Sequence, residues 1–284
     1  MSFRDVLVVL RAYPTGISAS AVDSAVDVAT LLAPRVSAIA CTIKPRIPRS
    51  ILGDTLINLS AMVAEEYKKS EEDAQGLLTA FEKAATKRGV FGRQTLETCR
   101  AFEVPDVLAD YSRLYDLTIL PLPQGADIPP LDVRWYAEEI IFESGRPSIV
   151  LPRDAMGPFS FETVIVAWDK SRVAARAVAD ALPILRKANQ VRLLTVTDEK
   201  AIASRPSAVD FAQHLQHHDI NVVVDEISAA GRKIGAVLQD EVTKHSADLI
   251  VMGAYGHSRM REFILGGATQ SMLSNPPAVL FLSH

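Results

Sequence analysis

The chain has few residues of the kinds that staple or anchor a protein. Its 284 residues include two cysteines, Cys41 and Cys99. Two thiols that far apart in sequence make neither a disulfide scaffold nor a zinc site. The expectation is two half-buried thiols in a reducing compartment. No apolar run reaches the roughly 18–20 residues of a membrane span. The first residues, Met1-Ser2-Phe3-Arg4-Asp5, enter a strand-like run without the features of a secretory leader. The cytoplasm is therefore the expected location, with no membrane partner. A formal net charge of −4 argues against a general polyanion surface, and nucleic acid is not an expected partner. There is no Gly-x4-Gly-Lys-(Ser/Thr) loop, which excludes a P-loop NTPase, and no Gly-x-Gly-x-x-Gly follows the first strand of either half. No Ser–His–Asp set has workable spacing.

What is present is ordinary globular sequence, 48% hydrophobic and 23% charged, long enough for two domains. Either half alone is long enough to bury a core. Thr163 to Trp168 is a β-branched run that reads as a strand buried on both faces. From Arg172 to Lys187, the residues Val173, Ala177, Val178, Ala181, Leu182 and Leu185 share one helical face, and Pro183 should kink that helix. Strands are expected at 191–197, 221–227, 248–252 and 278–282. Helices are expected at 206–218 and 231–245, and along the face formed by Met260, Phe263, Ile264, Ala268 and Met272. Five short strands alternating with four helices read as a doubly wound parallel sheet.

The first half repeats the plan. Strands are expected at 5–10, 35–43, 94–101, 117–120 and 148–151, and helices at 18–32, 105–114 and 133–142. Three segments look alike between the halves. Tyr115 to Leu120 matches Ala247 to Met252, Ser144 to Val150 matches Ser274 to Leu280, and Asp5 to Leu10 matches Glu162 to Ala167. The last pair is further apart than the others, which places an extra segment between the second and third strands of the first half. There Leu56, Leu59, Val63, Tyr67, Ala74, Leu77, Phe81 and Ala85 suit one long amphipathic helix ending at Gly89. Pro152 to Ser160 reads as a linker, giving domains 1–152 and 160–284.

The chemistry is expected in Gly253-Ala254-Tyr255-Gly256-His257-Ser258-Arg259 and the following Leu265-Gly266-Gly267-Ala268-Thr269. In an open parallel sheet, ligands bind beyond the carboxyl ends of the strands, near the switch in strand order. Glycines there let backbone N–H groups approach phosphate oxygens, and a helix N-terminus adds partial positive charge. Glycines in mid-helix equally permit close packing. Asp169, after the first strand of this half, can accept from a base or a ribose hydroxyl, or can cap the next helix.

Strand–Asp–helix together with strand–Gly-x2-Gly-x9-Gly–helix resembles the universal stress protein family, over nearly the whole chain as a tandem. The resemblance implies an α/β fold of two flavodoxin-like, doubly wound, five-stranded parallel-sheet domains related by a pseudo-two-fold. It implies an adenine nucleotide, ATP, ADP or AMP, with or without Mg2+. Ala167, Asp169 and the backbone near Val196 would meet the adenine. Gly253 and Gly256 would line the ribose and phosphates, Gly266 and Gly267 would clasp the phosphates, and Ala268 would belong to the same site; His257, in the binding loop, either touches a phosphate or faces water. ATP-binding members carry Ser or Thr where this chain has Gly267. The first half departs further: Arg11-Ala12-Tyr13-Pro14 has no carboxylate, and Pro121-Leu122-Pro123-Gln124-Gly125 lacks the spaced glycines. It is expected to be degenerate and to pair with the second half, closing strand on closing strand, as an intramolecular pseudo-dimer. A homodimer of such chains and an unidentified protein client are compatible with this plan.

His214 and His218 stand i, i+4 on a helix, a metal-ligand spacing that lacks a third ligand, and read as a solvated helix end. Trp168 is expected in the core. The functional expectation is a stress-response regulator that binds an adenine nucleotide without substantial catalysis. A slow ATPase and a protein-interaction module without nucleotide are the alternatives.

Overall fold

The computed structural model describes residues 2–13, 15–44, 59–123, 130–153, 155–198, 206–254 and 267–284. The first half runs β1 (Asp5–Leu10), α1 (Ala19–Leu32), β2 (Arg35–Ile43), α2 (Leu59–Lys87), β3 (Phe91–Cys99), a 3-10 turn (Ala101–Glu103), α3 (Val104–Ser112), β4 (Leu117–Pro121), α4 (Pro130–Glu143) and β5 (Ser148–Leu151). The second half runs β6 (Thr163–Ala167), α5 (Arg172–Leu185), β7 (Gln190–Thr197), α6 (Ala208–Gln216), β8 (Val222–Ser228), α7 (Ile234–Lys244), β9 (Leu249–Gly253), α8 (Gly267–Ser274) and β10 (Val279–Ser283).

The strands form one sheet in the order β3-β2-β1-β4-β5-β10-β9-β6-β7-β8. Every pairing is parallel except β5–β10, which is antiparallel with Val150 opposite Leu280 and Ile149 opposite Phe281. The expected pairing of the two closing strands is therefore borne out, as is the tandem doubly wound class. Within each half the order is third-second-first-fourth-fifth, so the switch in strand order lies between the first and fourth strands.

Central strands are apolar on both faces, so helices must cover both. Val6, Val8 and Leu10 face one layer with Val164, Val166 and Trp168, while Leu7, Val9 and Ile165 face the other. Both layers cross the β5–β10 seam: Ile149 and Phe281 lie in the first, Val150 and Leu280 in the second. The starts of α1, α5 and α6 are set by serines. Ser18 Oγ accepts from the N–H of Ala21 (3.1 Å) and Ser171 Oγ from that of Ala174 (3.1 Å). Ser207 and Asp210 form a reciprocal capping box. Among the described residues, no helix is long and apolar enough to cross a membrane.

The two halves share a device at the amino ends of their first strands. Asp116 Oδ2 accepts from the N–H of Arg4 and Asp5 (2.7 and 3.2 Å), and Asp248 Oδ2 from that of Glu162 and Thr163 (2.9 Å each). Val6 lies beside Leu117 as Val164 lies beside Leu249. This register corrects the match of Asp5–Leu10 with Glu162–Ala167 by one residue: Leu10 corresponds to Trp168 and Arg11 to Asp169. It also sets Val150 against Leu282 rather than Leu280, since Leu120 pairs with Val150 as Met252 pairs with Leu282.

The long helix α2 lies between β2 and β3, the place α6 takes in the second half. Its later turns bury Ala74, Leu77, Leu78, Phe81 and Ala85, whereas most of 61–69 is exposed. Leu56 lies outside the described residues. At the end of α2, Arg88 joins Asp23 and Asp27 of α1 (Nη1–Oδ1 2.9 Å, Nε–Oδ1 2.6 Å). β3 begins at Phe91 rather than Gln94, because it is an edge strand whose mostly exposed residues carry no continuous apolar run. α5 runs through Pro183 to Leu185. Cys41 and Cys99 are both free and buried, and they meet across β2–β3. The hydrogen bond to Cys99, reinforced by burial, raises the Cys41 thiol far above its ordinary range.

Candidate functional site

The switch between β6 and β9 brings the segment after β6 and the segment after β9 to one crevice at the carboxyl ends of the second half. Ala167 pairs with Met252, so Trp168-Asp169 and Gly253-Ala254 leave the sheet side by side. Asp169 is exposed. The N-cap of α5 is Ser171, so the capping alternative for Asp169 does not hold. Asp169 Oδ1 instead accepts from the N–H of Ser171 (2.9 Å), an Asx turn that fixes the carboxylate at the strand end. Lys170, next in the turn, has φ +60°.

Gly253 is a glycine for a packing reason. A Cβ there would lie 2.5 Å from Ala174 N and Val173 C, so its absence lets the first turn of α5 come against the end of β9. Ala167 and Val196 are half-buried on adjacent strands, β6 and β7. Gly267, exposed, starts α8 as described, and a Cβ there meets nothing within 4 Å. Ala268 is half-buried beside it. Gly256, His257 and Gly266 lie outside the described residues, as do Arg259 and Arg261. Trp168, just past β6, and Thr195 of β7 belong to the other apolar face of the sheet from Ala167 and Val196. An exposed carboxylate beside a glycine strand end fits a polar ligand.

Trp168 packs where expected, stacked on Phe211 of α6 with centroids 3.8 Å apart and planes at 2°. The His214 and His218 rings are 5.0 Å apart, and His218 Nδ1 lies 3.0 Å from Arg186 Nη2.

Among the described residues, side chains crowd the corresponding crevice of the first half. Arg11, at the place of Asp169, donates through Nε to Tyr13 O (3.4 Å) and lies over the Tyr136 ring at 5.2 Å. Tyr13 OH reaches Glu66 Oε1 of α2 (3.3 Å). Leu122, buried, stands where Ala254 stands. The space left among Arg11, Tyr13, Cys41 and Tyr136 is about 20 Å³, little more than one water needs. This infill was not read from the sequence; the Arg at the position of Asp169 was its available signal. A larger cavity, about 420 Å³, lies under the linker at the amino ends of β9 and β10, away from the crevice. Among its described lining residues, the carboxylate of Asp248 is already used by the start of β6.

Residues 160–280 match the model of the Universal stress protein family. A universal stress protein from Archaeoglobus fulgidus DSM 4304 shares the fold over 98% of this chain and 95% of its own, with TM-score 0.67 and 15% identity. A candidate universal stress protein from Pseudomonas aeruginosa UCBPP-PA14 is similar over 99% of this chain and 93% of its own, with TM-score 0.56 and 12% identity. A functionally unknown protein from Pseudomonas aeruginosa PAO1 is similar over 99% and 92%, with TM-score 0.56 and 13% identity. At these identities the likeness is one of fold. A comparison with curated protein sequences gives no match. Residues 160–280 thus match the Universal stress protein family, and they are preceded in the same chain by a half with the same strand order.

Proposed function

We propose that the chain is a regulator that binds one adenine nucleotide, ATP, ADP or AMP, in its 160–284 domain, without substantial turnover. The observation that carries this reading is the contrast between the two switch-point crevices. One presents Asp169, uncapped and exposed, beside Gly253. The other is closed by Arg11 on Tyr136. In this reading Asp169 Oδ2 accepts from the base or ribose, and backbone N–H groups at the start of α8 receive phosphate oxygens. Asp169 Oδ1 is engaged by Ser171, which suits a fixed acceptor more than a proton carrier.

Calorimetry on the full chain with ATP, ADP and AMP tests the proposal. One site per chain is expected. Asp169→Ala should weaken binding at least about tenfold, since a hydrogen bond to a charged group contributes roughly 1.5–3 kcal/mol. Arg11→Ala should leave it unchanged. Absence of binding, or an unaltered Asp169→Ala variant, would overturn the assignment, and steady release of phosphate above background would favour the slow ATPase.

A further inference from the structure

Ala254 is the last described residue before 255–266, and the end of β10 holds both of its backbone polar groups. Its N–H donates to Ser283 O (2.8 Å), and its carbonyl lies 2.9 Å from His284 Nδ1, the geometry of an Nδ1–H donating to it. Ser283 pairs with Gly253 in the ladder, and its Oγ donates to Asp180 Oδ2 of α5 (2.7 Å). The His284 ring meets Phe142 edge to face, with centroids 4.7 Å apart and planes at 70°. Phe142 belongs to α4, in the first half. The antiparallel seam makes this meeting possible, because it sets the amino end of β5 beside the carboxyl end of β10.

The first half has no such clamp at its own crevice. The Leu122 N–H donates to Leu151 O (3.2 Å) as that of Ala254 does to Ser283, but the residue at the place of His284 is Pro152, whose ring carries no donor. The clamp thus occurs only in the half with the spaced glycines.

We infer that the first half sets the nucleotide affinity of the second, through Phe142 fixing the His284 ring that holds the Ala254 carbonyl. The inference rests on the nucleotide reading above. A His284 ring without Phe142 regains rotamer freedom, and the Ala254 carbonyl at the end of β9, beside Asp169, is less often held. Affinity falls because that strand end must then be fixed on binding.

A double-mutant cycle on the full chain tests it, with Phe142→Ala, His284→Ala and the pair. ATP calorimetry and amide hydrogen exchange at Ala254 are the readouts, and thermal unfolding certifies each fold. Each single variant should bind ATP between about two- and tenfold more weakly, the pair no more weakly than His284→Ala, with faster exchange at Ala254 in all three. His284→Asn, whose amide reaches the carbonyl but offers no ring, should regain affinity and become indifferent to Phe142→Ala. Additive losses, or unchanged affinity in either single variant while the parent binds ATP, would sink this inference alone. A parent chain that takes up no ATP would sink the nucleotide reading and this inference together.

Discussion

Lys170 and Gly253 show opposite backbone constraints on the two sides of the crevice. Lys170 holds φ +60°, where a side chain costs roughly 1 kcal/mol relative to glycine. Lys170→Gly should leave stability level or slightly raised, because relief of strain is partly offset by a freer unfolded chain. A clear drop in melting temperature would mean that the lysine side chain holds the turn. Gly253→Ala places a methyl 2.5 Å from the backbone of α5, and should destabilise the fold by about 1–3 kcal/mol in denaturant unfolding. A neutral result would show that α5 can withdraw freely. Gly267→Ser has room, with nothing within 4 Å of its Cβ. The added hydroxyl should strengthen ATP more than adenosine, by roughly 1.5–3 kcal/mol at best. Titration with both ligands checks this, and an unchanged ratio would mean that Gly267 does not face phosphate.

Among the elements, the α1–α2 junction is tied by charge. The Arg88 guanidinium hydrogen-bonds Asp23 and holds its carboxyl below the ordinary value. A carboxyl depressed in the folded state contributes stability that is fully present above the unfolded value, about pH 4, and is lost as pH falls through the folded one. Arg88→Ala should therefore cost about 1–2 kcal/mol at pH 7, the partners being partly exposed, and the gap to the parent should narrow below pH 4. Unfolding curves at pH 7 and pH 3 decide, and a constant gap would assign the effect to packing. Element identities were largely legible in the sequence because apolar runs and serine caps are local signals. Register was not. Val6-Leu7-Val8-Val9-Leu10 is apolar on both faces and lacks the alternation that fixes parity, so the match to the second half slipped by one residue. The meeting of Cys41 with Cys99 depends on the same unreadable quantity. At the site, Asp169 and Gly253 were legible as strand-end residues. The infill of the first crevice was not, because Arg11 and Tyr136 come from separate elements.

At the scale of the whole molecule, two continuous apolar layers cross the seam, so the halves should not unfold separately. Trp135 and Trp168 sit in different halves. Variants that keep one tryptophan each should report the same denaturant midpoint, and two distinct midpoints would show independent units. A fragment 160–284 should self-associate through the bared edge of β10, whereas a monomer in sedimentation would show that the edge is protected otherwise. The seam also turns the two halves head to tail, so their crevices open at opposite ends of the sheet, and among the described residues Arg11 and Tyr136 occupy one of them. A symmetric pair of such folds would offer two equal sites that can influence one another. With the one site proposed here, the response to nucleotide concentration should be graded, with a Hill coefficient of about one.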